Sequence, residues 1–139
     1  MASEKVRSFQ SVGISILRIA VGVVFLMHGY QKFFDIGIGG ITQGFTHGGI
    51  PYPHVSAILA SLAEFGGGIL LILGLFTRLA AIPPAIVMIV AFATVHGKNG
   101  FFLGNPPGFE YVFTLFFALV ALMLLGAGPI GLDRLIHKR

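Results

Sequence analysis

The chain has 139 residues, 55% of them hydrophobic and only 10% charged, with a mean hydropathy of +0.92. A soluble domain carries about 25% charged residues, so the polar surface of a water-soluble fold is missing. No cysteine is present, which excludes a disulfide framework, a cysteine nucleophile, thiolate-held zinc and a Cys-ligated iron–sulfur cluster. The net charge of +4 is modest and comes mostly from residues flanking the apolar runs, a pattern of membrane topology rather than of a nucleic-acid surface.

Four apolar runs follow one another, over about residues 12–34, 55–76, 79–96 and 110–130. Each is near the roughly 17–25 residues that cross a bilayer as a helix. They leave no amphipathic helix to cover them in water, so the expected fold is all-α: an integral membrane four-helix bundle forming one domain over residues 1–139. The first run is not a cleaved signal peptide, because Arg18 interrupts it and Met27-His28-Gly29-Tyr30 offers no small-residue cleavage site.

The loop at 35–53 is rich in glycine, and Ile41, Phe45 and Ile50 mark a short interfacial helix near Gly40–His47. Pro83-Pro84 falls early in the third run, which predicts an irregular first turn from about Leu79. Asn99-Gly100 and Pro106-Pro107 mark turns in the loop before the fourth run. Lys5, Arg7, Arg78, Arg134, Lys138 and Arg139 lie on one side of this layout, against Lys32 and Lys98 on the other. That bias places both termini in the cytoplasm, in the plasma (inner) membrane.

Few polar groups enter the runs. Glu64 lies roughly 13 Å below the outer end of its span at 1.5 Å per residue, too deep for its side chain to reach water. It must be neutral, paired, or facing a wet cavity. Ala60, Ser61, Glu64, Gly67 and Gly68 share one helix face, and small residues there admit a close neighbour. Arg18, Gly22, Phe25, His28, Gly29 and Lys32 form a matching face on the first span. His28 is the first-choice partner for Glu64. Arg18 is second, with snorkelling to the inner headgroups as its plain alternative.

His96, Lys98 and Glu110 converge on the same side, so that His28, Lys32, Glu64, His96 and Glu110 outline an outer polar pocket. Solvation at helix ends is the bland reading of the lysines and Glu110. His47 and His54 read as solvated loop residues. Haem ligation by His28 and His96, or a metal held by those two with Glu64, is chemically feasible. Neither has a tight ligand spacing behind it, and no metal ligands are assigned.

The quoted motifs resemble the DoxX family of small four-span membrane proteins. The resemblance rests on Leu17-Arg18-Ile19, His28-Gly29-Tyr30-Gln31-Lys32, Ala63-Glu64-Phe65-Gly66-Gly67-Gly68 and Gly74-Leu75-Phe76-Thr77-Arg78. His96-Gly97-Lys98-Asn99-Gly100-Phe101-Phe102 and Gly108-Phe109-Glu110-Tyr111 extend it. It implies a compact four-helix membrane bundle. Some members of the family are subunits of a thiosulfate:quinone oxidoreductase, and others are linked to oxidative and thiol-stress proteins, which become candidate partners here. The absence of cysteine argues against direct dithiol exchange by this chain.

The leading expectation is a redox-associated membrane subunit binding a quinone or similar small molecule. Glu64 and His28 would exchange protons, and Arg18, Gln31, Lys32, His96, Asn99 and Glu110 would contact the ligand. Haem is the second cofactor reading. A non-enzymatic scaffold anchoring partner proteins is the main alternative, followed by a small proton-linked transporter. A homo-oligomer is compatible with either of the first two.

Overall fold

The computed structural model describes residues 3–136, so Lys138 and Arg139 of the charge count lie outside the described residues. Those residues form helices α1 (Glu4–Tyr30), α2 (Gly37–His47), α3 (Pro53–Leu73), α4 (Thr77–Ala80), α5 (Ile82–Ala91), α6 (Glu110–Leu125) and α7 (Asp133–Ile136). Among them there is no strand. A π-helical turn extends α1 over Gln31–Asp35, and a second extends α5 over Phe92–His96.

Around the bundle, α1 packs on α3, α3 on α5, α5 on α6, and α6 returns to α1, while α2 lies against α3. The core between them is built from Val21, Phe25, Leu71, Met88, Leu119 and Leu122. Ile16, Leu62, Ile89, Phe117 and Leu124 point outward and are exposed, so the bundle carries large apolar side chains on its outer surface. Three helical stretches are long and apolar enough to cross a membrane: Glu4–Asp35, Pro53–Leu73 and Thr77–Asn99. The fourth apolar helix, Glu110–Leu125, has 16 residues and rises about 24 Å.

The α1–α3 contact is the tightest in the bundle. A Cβ added at Gly22, Gly29 or Gly68 would fall closer than 3.0 Å to the facing helix, against Ile72, Phe65 and Leu26 respectively. Only hydrogen fits there, and the two backbones approach accordingly.

Helix ends depart from the apolar runs for local reasons. α1 begins at Glu4, well before residue 12, because Ser3 caps it, accepting from the Val6 N–H at 3.4 Å, and its first turns carry polar residues beyond the apolar stretch. α3 ends at Leu73 because Gly74 takes φ +65°, the left-handed region that favours glycine. The break at Ala81 separates α4 from α5 just before Pro83-Pro84, the irregular turn that prolines impose. α6 stops at Leu125, short of 130, because Gly126 and Gly128 adopt positive φ and Pro129 follows. α2 starts at Gly37, three residues ahead of the expected Gly40.

Candidate functional site

The non-helical segment after α6 creates the first polar problem. Buried backbone groups need internal partners, as do the last carbonyls of α3. Arg18 answers both. Its guanidinium donates to the Leu71 carbonyl at 2.6 Å, the Ile72 carbonyl at 2.9 Å and the Ile130 carbonyl, and the residue is fully buried. Gly74 leaves room for it, since a Cβ there would collide with the guanidinium.

Asp133 completes this end by accepting from the Phe76 N–H at 2.6 Å and the Thr77 N–H at 3.0 Å. Arg18 is therefore neither a snorkelling side chain nor the partner of Glu64. It ties α1 to the end of α3 and to the chain after α6, away from the residues that line the main cavity.

Glu64 is paired instead with Lys32. The carboxylate residue is buried, at 2% exposure. The Lys32 side chain, at 18% exposure, reaches it from the π turn that continues α1. His28, the expected partner, sits one helical turn earlier. Its Nδ1 lies 2.8 Å from the Val24 carbonyl of its own helix, and its ring lies 6.0 Å from that of Tyr111 on α6. The face read from the sequence was right in both helices, but the partner was displaced by one turn. Apolar periodicity assigns faces but not the shift of one helix along the other, and that shift decides whether His28 or Lys32, one turn apart on the same face, meets Glu64.

A cavity of about 650 Å³ lies between α1, α3, α5 and α6, within the range of small-molecule sites. His28, Lys32, Glu64 and His96 all line it, and its remaining wall is largely apolar. Glu110, Asn99, Gln31 and Arg18 do not line it. Glu110 accepts from the Leu103 N–H at 2.7 Å. Asn99 donates to the Val95 and Pro107 carbonyls at 3.1 and 3.0 Å. These two order the loop before α6, and Gln31 is exposed.

Tyr111 belongs to the wall as well, and the residue reading assigned it no role. Its signal was a polar aromatic one position after Glu110, at the start of an apolar span. Asp133 also escaped that reading, being a lone acid just past the fourth run. Among the described residues, no group of three or more His, Asp or Glu comes together as a metal would require.

Set beside known proteins, residues 13–97 match the sequence profile of DoxX. The chain belongs to the DoxX family. This DoxX chain is 33% identical over 132 residues to "Putative oxidoreductase CatD" of Bacillus subtilis, covering 95% of the chain and 92% of that relative. It is 33% identical over 136 residues to the "Uncharacterized membrane protein Rv3486" of Mycobacterium tuberculosis, covering 88% and 80%. It is 32% identical over 127 residues to "Inner membrane protein YphA" of Escherichia coli, covering 86% of each. No solved structure matches it. With its apolar outer surface, this DoxX chain is an all-helical membrane protein.

Proposed function

We propose that this DoxX protein is a redox-associated subunit of the plasma (inner) membrane that binds a quinone or a molecule of similar shape beside the Lys32–Glu64 pair. One observation carries the reading: a cavity of about 650 Å³, apolar over most of its wall, receives His28, Lys32 and Glu64 with the Tyr111 ring among them. An apolar site with a few converging polar groups suits a flat ligand bearing carbonyl oxygens. The name of the Bacillus subtilis relative, "Putative oxidoreductase CatD", points the same way.

A quinone, when bound, would present two carbonyl oxygens that take up protons when an electron-donating partner protein reduces it. The protein's own share is positioning and proton handling. The Lys32 ammonium donates hydrogen bonds and balances negative charge at an oxygen beside it. Glu64, held against Lys32 within an apolar wall, carries or releases a proton close to the same position. His28 exchanges protons with the ligand from the adjacent turn, and Tyr111 supplies a ring face and a hydroxyl.

Four crossings with both termini in the cytoplasm place this pocket in the outer half of the bilayer. The last crossing combines α6 with the segment that Arg18 holds. The optical spectrum of the purified protein, together with mass spectrometry of its co-purified lipids, tests the reading. A bound quinone supports it. A haem spectrum points to other redox chemistry, and neither group leaves a scaffold for partner proteins as the better account.

A further inference from the structure

We propose that the cavity opens sideways, between α3 and α5, and takes its ligand directly from the lipid phase, head toward Lys32–Glu64 and apolar tail toward Leu59 and Val90. The inference rests on the reading of the cavity as a ligand site, and it adds the route of entry and the amphiphilic class of the ligand.

Start with where α3 and α5 touch. A Cβ on Gly67 would fall within 3.0 Å of the Pro84 ring, so the helices are in close contact there, late in α3 and early in α5. Toward α2 they no longer close the wall. On α3 the cavity is lined both by buried Ala60 and by Leu59, which is 61% exposed. On α5 it is lined both by buried Met88 and by Ile86, which is 55% exposed. A cavity that reaches the inward and the outward sides of two neighbouring helices passes between them.

The end nearest α2 has a different character. Phe45, Ile50 and Pro51 line the cavity there, and Ile50 is buried. An apolar cover disfavours the passage of polar solutes. Polarity within the cavity is segregated in the same sense. His28 and Lys32 come from α1 and its π turn, Glu64 from the inward face of α3, and Tyr111 from α6, while Ser56 of α3 directs its hydroxyl to the Pro51 carbonyl. The α5 wall opposite is apolar from Pro83 to Ala91, with Thr94 and His96 only at its far end. The matching ligand has a compact hydrogen-bonding head and an apolar tail, and such a molecule dissolves in the bilayer before it reaches the protein.

The sequence contains no tryptophan, so one introduced indole reports its surroundings alone. Val87→Trp places it on the cavity wall, and Phe117→Trp places it on the exposed outer face. In bilayers of acyl-brominated lipid, the Val87→Trp variant is expected to lose emission as fully as Phe117→Trp, with little effect of aqueous iodide. Quenching by iodide without quenching by brominated lipid would overturn the lateral opening, as would protection from both. If Val87→Trp does not fold, Ala63→Trp on the facing helix gives the same reading.

A second arm compares decylubiquinone with its tail-less benzoquinone headgroup, each affinity referred to the aqueous concentration of the probe. The tailed probe should bind more than about tenfold tighter, because its methylenes leave water. Equal affinity on that scale would leave the tail in water and overturn the proposed pose. If the indole is quenched by brominated lipid yet neither quinone binds, the quinone reading fails while the lateral opening stands.

Discussion

Lys32 and Glu64 join the π turn at the end of α1 to the middle of α3 by an ion pair set in the wall of a largely apolar cavity. The arrangement explains how a carboxylate can sit deep in an apolar helix, and it leaves both charges beside a space that a ligand can enter.

Removing one member of that pair strands the other. Glu64→Leu should cost about 2–3 kcal/mol, because Lys32 is then left without its counter-charge in largely apolar surroundings. Glu64→Gln should be milder, since glutamine still accepts a hydrogen bond. The double variant Lys32→Met with Glu64→Met should recover much of the loss. Thermal unfolding in detergent ranks the four proteins, and equal midpoints for Glu64→Leu and wild type would remove the pair from the account of stability.

Arg18 makes a separate prediction at the other end of the bundle. Arg18→Leu leaves the Leu71, Ile72 and Ile130 carbonyls without their donor, and lost hydrogen bonds to a charged group cost about 1.5–3 kcal/mol each at most. Arg18→Lys keeps the charge but not the planar fork, so it should fall between wild type and leucine. Ligand affinity at the cavity should survive in folded Arg18→Lys. A specific loss of binding with unchanged thermal stability would bring Arg18 back into the ligand site.

Close approach of α1 and α3 is tested by adding single methyl groups. Gly29→Ala and Gly68→Ala must push the helices apart, at a cost of about 1–3 kcal/mol each. Gly13→Ala meets nothing within 4 Å and should be neutral or stabilising by about 0.5–1 kcal/mol, as expected for alanine in a helix. A common response of all three variants would show that helix propensity, not packing, sets the outcome.

Membrane sidedness follows from the basic residues. A reporter fused after the last residue should read cytoplasmic, and one inserted between Phe101 and Pro107 should read external. Both reporters on the same side would contradict four crossings.

The legible part of the molecule was whatever apolar periodicity controls. The small-residue face of α3 and the facing stripe on α1 were visible because glycine and alanine among large residues mark a close contact. The helix of the loop after the first apolar run was visible in Ile41 and Phe45. Less accessible was anything decided by helix offset or backbone irregularity. The helical period put both His28 and Lys32 on the stripe facing Glu64, and it could not say which of the two, one turn apart, reaches the carboxylate. The role of Arg18 depends on α6 ending at Gly126 and on where Ile130 then falls, a meeting of segments separated by more than a hundred residues. Glu110 was grouped with the pocket by depth, and Asn99 was added to the ligand contacts through the family motif. Both instead order the loop before α6, where neighbouring backbone groups are their nearest partners.

Quinone binding to wild type, His28→Ala and Glu64→Gln, each reconstituted in lipid nanodiscs and confirmed as folded, tests the central claim most directly. The account predicts saturable binding of decylubiquinone to wild type and a clear loss of affinity or of quinone-linked turnover in both variants. Unchanged binding and turnover in both variants, or no saturable binding to wild type, would contradict it.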